Sequence, residues 1–311
     1  MSKKIARKVL CVMDAFWKRH YSLKKDSTLL LLSELQKRHF EIFLTSLEDL
    51  NKIKPTDFDF ILMRKDPPVD QKYLKACRTL ETFHKTTPVI NNPSVIRQWS
   101  EKSMILNFPQ WIPPTIITKS FRQASIFLKK YGEVVLKPLN SYASKGIRLI
   151  SSSRDIKNIK TSVMLQAYLA HIKTKGEKRI FMVDGKAHGA LLKIPSKKNF
   201  LANPDLGARL SSTTLSLREK KMCREIGQFL KKNGIFFAGL DVIDEHLTEI
   251  NFTSPGLLWE WNELTKQRHE KKIVNLMIQY TKNLYFLLPS PVLLCSCSPL
   301  CIPGMETTIA R

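Results

Sequence analysis

The sequence predicts an α/β protein: an open α/β sheet at the N-terminus, followed by a larger domain that mixes helices with hairpin strands. Three observations carry this. Near the N-terminus, short apolar runs and one helical stretch alternate in a β-α-β-β rhythm, and two of the runs stop abruptly on charged residues, as buried strands of an open sheet do. In the second half, tight-turn signals such as Asp184-Gly185 separate runs of strand length. The chain has 311 residues, 43% hydrophobic and 25% charged, enough for two or three packed domains and too apolar for disorder as the main state.

The elements follow in order. Val9–Met13 is an apolar run ending at Asp14 and reads as a buried strand. Asp26 or Ser27 caps a leucine-rich helix over 29–36. Strands are expected at 41–44 and 58–63, the second running into Arg64-Lys65-Asp66-Pro67-Pro68. In such a sheet the ligand crevice lies beyond the carboxyl ends of the strands, where Asp14 and Arg64-Lys65-Asp66 stand, unless these form a salt-bridged turn. Asn91-Asn92-Pro93 is a turn, 94–103 a short helix, and the domain boundary falls between residues 93 and 94. A helix at 121–131 precedes strands at 133–139, 146–150, 164–169 and 179–183. Residues 193–210 form a long polar loop, of the kind usually functional or disordered. An amphipathic helix spans 216–233 with Gly234 at its C-terminus, and strands at 235–243 and 247–252 form a hairpin about Asp244-Glu245-His246. The second domain is expected to end at 286. Residues 287–311, with Cys295, Cys297 and Cys301, read as an unstructured tail in preference to a soft-metal site that lacks an evident fourth ligand.

Composition excludes several classes. No stretch before the C-terminal end approaches the roughly 18 uncharged apolar residues of a membrane span. Six cysteines do not make a disulfide scaffold, so a reducing cytoplasmic setting is expected. Lys plus Arg is 51 against 27 for Asp plus Glu, a net charge of +24. Those cations are spread along the whole chain without any nucleic-acid motif, so no specific nucleic-acid partner is expected, and a lysine-rich enzyme for anionic substrates fits as well. The chain carries no readable interface signal, and a homo-oligomer is left open.

Asp241 sits in the apolar strand Phe237-Ala238-Gly239-Leu240-Asp241-Val242-Ile243, where an unpaired carboxylate is costly. Across the turn, Glu249 and Asn251 alternate and so project from one face. The hairpin gathers three oxygen-bearing side chains into either a partial magnesium shell or a hydrogen-bonded sheet face. Lys137, between Leu136 and Pro138, either snorkels or holds a phosphate. Lys102, near the domain boundary, is a second phosphate candidate.

These residues resemble bacterial glutathione synthetase, an ATP-grasp ligase, over roughly residues 9–260. The most specific matches are Ile61-Leu62-Met63-Arg64-Lys65-Asp66-Pro67-Pro68 and Gly239-Leu240-Asp241-Val242-Ile243 followed by Leu247-Thr248-Glu249-Ile250-Asn251-Phe252-Thr253-Ser254-Pro255. Glu101-Lys102, Leu136-Lys137-Pro138-Leu139 and Glu177-Lys178-Arg179 agree in order and spacing. The resemblance implies an N-terminal pre-ATP-grasp α/β domain and a two-lobed α+β ATP-grasp domain. It implies ATP-dependent joining of γ-glutamylcysteine and glycine through an acyl phosphate, with magnesium or manganese. On that pattern Lys102 and Lys137 hold phosphates. Gln166, Ala167, Tyr168 and Leu169 face the adenine. Asp241, Glu249 and Asn251 hold the metal, with Asn251 also counted in the nucleotide set. Arg179 and Arg209 act at the reacting phosphate. Asp14, Ser27, Arg64, Lys65, Asp66 and Asn203 line the substrate cleft, and 193–209 is similar to the closing loop. The chain departs from the pattern at three places: the glycine-poor loop Asn140-Ser141-Tyr142-Ala143-Ser144-Lys145-Gly146, and Leu201 and Trp259 where the family has arginine. These keep a second reading open, a homologue with altered substrates or lost activity.

Overall fold

The computed structural model describes residues 7–14, 25–157 and 159–287. β1 (Arg7–Val12) is buried from Val9 onward. α1 (Ser27–Lys37) begins at Asp26, whose carboxylate accepts the Leu29 amide. β2 (Phe40–Thr45) and β3 (Phe60–Met63) pair with β1 in parallel, one on each side. After β3 comes α2 (Gln71–Phe83), capped by Asp70. The sequence reading leaves this helix unassigned, although Tyr73, Ala76, Cys77 and Leu80 form its buried stripe at helical spacing. β4 (Val89–Ile90) completes a sheet of order β2-β1-β3-β4. The chain winds outward from β1 to β2 and returns on the other side as β3. The strand order therefore reverses between β1 and β3, and the crevice opens at their carboxyl ends. α3 (Pro93–Gln98) is shorter than the expected 94–103, because Trp99 leaves the helix in extended conformation and packs edge-on against Phe229.

The middle lobe is β5 (Thr115–Thr118), α4 (Phe121–Tyr131), β6 (Val134–Pro138), β7 (Arg148–Ile150) and β8 (Val163–Ala167). Its antiparallel sheet has the order β5-β8-β6-β7. Ala124, Phe127 and Leu128 of α4 pack on Val134, Leu136 and Leu165. A short α5 (Ile172–Lys175) leads into the third unit: β9 (Glu177–Val183), β10 (Lys186–Ile194), β11 (Arg209–Thr213), α6 (Leu217–Lys232), β12 (Phe237–Ile243) and β13 (His246–Asn251). Its five strands run antiparallel in the order β11-β10-β9-β12-β13. β10 and β11 take both ends of the stretch read as a loop, whose irregular part is 195–208. In the β12–β13 turn Asp244 and Glu245 both take positive φ, as a two-residue hairpin turn requires.

α6 carries a capping box between Ser216 and Glu219. It packs Met222, Ile226 and Leu230 into the core shared with Ile180, Met182, Leu240 and Val242. The contact is closest at Gly227, where a Cβ would stand 1.9 Å from the Gly185 carbonyl oxygen. Gly227→Ala is expected to force α6 off the β9–β10 turn and cost about 1–3 kcal/mol, read as a lower urea midpoint at unchanged m-value.

The chain between Leu258 and Leu287 forms two helices that the sequence reading leaves unassigned, α7 (Leu258–Thr265) and α8 (His269–Leu287). Trp261, Ile273, Val274 and Met277 join Val9, Cys11, Leu31, Leu35 and Phe60 in one core. The C-terminal helices thus pack back onto the first sheet. Trp261 is sandwiched between Phe181 at 4.3 Å and His269 at 3.5 Å. Cys295, Cys297 and Cys301 lie outside the described residues. Among the described residues no helix is long and apolar enough to cross a membrane.

Candidate active site

The β12–β13 hairpin sets Asp241 directly opposite Glu249, and Gly239 opposite Asn251. Asp241 is 4% exposed and both its oxygens are filled. Arg179 Nε and Nη2 each donate at 2.9 Å, Lys193 Nζ donates at 2.9 Å and Asn251 Nδ2 at 3.0 Å. Burial alone would raise the Asp241 pKa, but Arg179 and then Lys193 more than offset it and hold the carboxyl well below the usual range. Arg179 can lie flat across the sheet because residue 239 is glycine: a Cβ there would meet the Arg179 side chain at 2.7 Å. Glu249 faces Lys102 at 3.3 Å.

Lys137 is buried on β6, and its ammonium donates to Gln166 Oε1 at 2.8 Å and to the Thr248 carbonyl at 3.2 Å. Burial lowers its pKa, while Glu249 and Glu177 act against that shift. Lys102 donates to the Ser141 carbonyl at 2.5 Å, which ties it to the loop after β6. In that loop Ala143 and Ser144 take φ of 49° and 62°, the left-handed backbone that glycine adopts without strain. The loop therefore keeps a glycine-like path without the glycines, at a cost of roughly 1–2 kcal/mol per residue. Asn203 lies above it, with Nδ2 3.4 Å from the Ala143 carbonyl and 3.3 Å from Ser144 Oγ. Ala202 is buried with Ile172 and Ile243, and Tyr168 and Leu169 pack on them, so the 195–208 loop rests on the Gln166–Leu169 segment.

A cavity of about 260 Å³ lies between the lobes, lined by Lys137, Gln166, Ala167, Tyr168, Leu169 and Lys193 among others. A second, of about 630 Å³, is lined by Asp14, Lys65, Asp66, Glu101, Lys102 and Gly256 among others. Arg179, Glu249, Asn251, Ala143 and Ser144 line both, so the two spaces meet at the hairpin. At the N-terminal rim, Lys65 pairs with Asp14 at 3.0 Å, and Asp14 also accepts the Asp66 amide at 3.3 Å.

Three expected site residues stand elsewhere. Ser27 is buried, and its hydroxyl accepts the Leu258 amide, tying α1 to α7. Arg64 is also buried. It donates to Thr28 Oγ1 at 3.0 Å and to the Pro255 carbonyl at 3.1 Å, so its guanidinium joins the first domain to the chain after β13. Arg209 is exposed at the start of β11 and lines neither cavity. Each matches a family position in the one-dimensional pattern, but Ser27 and Arg64 are held in contacts between elements and Arg209 lies in solvent. Conversely, Lys193, Glu177 and Glu101 belong to the cleft, although the sequence gives none of the three a role there. Lys193 pairs with Glu177 at 2.6 Å as well as with Asp241. Leu192-Lys193-Ile194 has the same form as Leu136-Lys137-Pro138, a lysine framed by apolar neighbours, and that signal was available.

A lysine-lined interlobe cavity that meets a carboxylate-bearing hairpin, on this arrangement of sheets, defines an ATP-grasp ligase. Solved structures agree on the fold: a D-cycloserine synthetase superposes with a TM-score of 0.69 at 14% identity, covering 88% of this chain and 99% of its own. The D-alanine–D-alanine ligase of Bacillus anthracis, complexed with ATP, gives 0.62 at 18% identity, covering 89% and 99%. The sequence narrows the class. The model of the prokaryotic glutathione synthetase ATP-grasp domain matches residues 101–266, and that of its N-terminal domain matches 45–97. Glutathione synthetase of Prochlorococcus marinus (strain MED4) is 33% identical over 307 residues, 88% of this chain and 99% of that one. That of Parasynechococcus marenigrum is 39% identical over 220 residues, 68% and 71% of the two chains. The chain belongs to the prokaryotic glutathione synthetase family.

Proposed function

We propose that the chain is an active glutathione synthetase of the cytoplasm, joining γ-glutamylcysteine to glycine at the expense of ATP. The observation that supports the reading is the meeting of the two cavities at Arg179, Glu249 and Asn251, where a nucleotide's terminal phosphate in one would lie beside a carboxylate substrate in the other.

The residues divide the work. Gln166–Leu169 face the adenine, and Lys137 and Lys102 take the phosphates as point charges. The donor set of the hairpin fits magnesium: two carboxylates and an amide are hard oxygen ligands, and phosphate oxygens and water complete such a shell. Asn251 donates its amide nitrogen to Asp241, which leaves its amide oxygen for the metal. Asp241, Glu249 and Asn251 would hold the ion, which when bound would offset the negative charge of the phosphate oxygens. Arg179 has Nε and Nη2 committed to Asp241, so Nη1 remains for the oxygens of the transferring phosphoryl group and of the acyl phosphate. The 195–208 loop lies over both cavities through Asn203 and Asp205, where it keeps water from the acyl phosphate. The amine of glycine then attacks the acyl carbon, and phosphate leaves.

The test is phosphate release from ATP with magnesium, run with both amino substrates and with each omitted. Release that requires both, together with glutathione formation, supports the reading. Glu249→Gln removes one ligand charge and frees Lys102, and is expected to lower turnover by at least about 100-fold; unchanged turnover would remove Glu249 from the mechanism.

A further inference from the structure

The carboxylates of the cleft are not equivalent. Asp241, Glu177 and Glu249 each hold a lysine or arginine within 3.3 Å. Asp14 holds Lys65. Glu101 differs. Its Oε1 accepts three donors: the Phe252 amide at 2.8 Å, the Thr253 amide at 2.9 Å and the Thr253 hydroxyl at 2.8 Å. Its own carbonyl accepts the Ile250 amide, so the residue is held at both ends. Oε2 takes none of these bonds, and no cation pairs with Glu101 among the described residues. Glu101 lines the larger cavity. Burial and the nearby Glu249 push its carboxyl up, against the three hydrogen bonds that act to lower it. The adjacent Lys102 is committed to Ser141 and Glu249 and supplies no counter-charge. The result is a rigidly held carboxylate in the wall of the substrate space, with one oxygen outside these hydrogen bonds and no cation of its own among the described residues, which is the chemistry that receives a primary ammonium.

We propose that Glu101 binds the ammonium group of an amino substrate in the larger cavity. This rests on the ligase reading, in which two compounds bring such a group: glycine itself, and γ-glutamylcysteine through its α-amino nitrogen. Glu101→Gln is the sharp variant. The glutamine carbonyl keeps an acceptor for all three donors at Phe252 and Thr253, while an NH2 replaces Oε2 and repels an ammonium.

Binding is measured by calorimetry in the presence of magnesium and a non-hydrolysable ATP analogue, with glycine in one arm and γ-glutamylcysteine in the other. A third arm uses glutarylcysteine, which lacks the α-ammonium. In Glu101→Gln, with its melting temperature and nucleotide affinity unchanged, one of the two amino ligands is expected to bind about 10- to 100-fold more weakly. If that ligand is γ-glutamylcysteine, glutarylcysteine binds the parent chain and the variant equally. If it is glycine, the γ-glutamylcysteine arm does not move. Both ligands binding the variant within about threefold of the parent would overturn the assignment. A parent chain that binds an amino ligand through Glu101 yet forms no glutathione would overturn the ligase reading and leave Glu101 standing. Glutathione formation with unchanged KM values in the variant would do the reverse.

Discussion

Asparagine in place of Asp241 is expected to be the most damaging single-atom change in this chain, in stability and activity together. The substitution removes a charge on which Arg179, Lys193 and Asn251 converge. Arg179 is 8% and Lys193 5% exposed, so neither can turn to bulk water for compensation. The new NH2 would also point at groups that are themselves donors. Breaking one side of a buried ion pair costs about 3–5 kcal/mol, and urea unfolding reads it directly. Phosphate release is expected to fall by at least about 100-fold, because the same change unseats Arg179 and removes a proposed metal ligand. The effect has a pH signature. The folded-state pKa of Asp241 lies below its unfolded value of about 3.9, so the ion pairs contribute in full above that pH. The contribution is lost as pH falls from about 4 through the folded-state pKa. The stability difference between the parent chain and Asp241→Asn should therefore be flat at neutral pH and shrink in acid. A difference that grows in acid would contradict the assignment.

Asn91→Ala carries the second large effect, far from any reacting atom. The Asn91 side chain donates to the carbonyls of Phe237 at 2.8 Å and Phe252 at 2.6 Å. Its oxygen accepts the amides of Phe236 at 2.9 Å and Phe237 at 3.0 Å. One amide thus joins the end of the first sheet to the base of the β12–β13 hairpin. Alanine would strand four buried backbone groups. At the low end of about 1–3 kcal/mol for each, the loss is about 4 kcal/mol, or an apparent Tm about 10 °C lower by calorimetry. A shift of only a degree or two would mean that water replaces the side chain.

Asn91 also marks where the reading of the chain in one dimension stops. In the sequence it belongs to a polar Asn-Asn-Pro turn and reads as nothing more. Its four partners lie about 150 residues away and become visible only when the sheets meet. Ser27, Arg64 and Arg209 show the same limit from the other side. Each stands in a motif, yet Ser27 and Arg64 point into domain contacts and Arg209 into solvent. Asp241, Glu249 and Asn251 were legible because a hairpin has period two and a short turn, so local spacing fixes which side chains share a face. Lys137 was legible because a lysine inside an apolar strand is costly enough to need a reason.

The fold class, the two charged strand ends, the hairpin that gathers Asp241, Glu249 and Asn251, and the family were therefore determined by the sequence alone, since all rest on periodicity, turn chemistry and ordered motifs. Tertiary structure decided the rest. It drew Lys193 and Arg179 onto Asp241, and it gave Ala143 and Ser144 a glycine-like backbone. It folded α7 and α8 back onto the first sheet, and among the described residues it left Glu101 without a cation in a cleft where Asp241, Glu177 and Glu249 each have one. The physical reason is common to all of these: ion pairing, backbone conformation and burial depend on neighbours in space, and contacts between residues far apart in the chain leave no local periodicity.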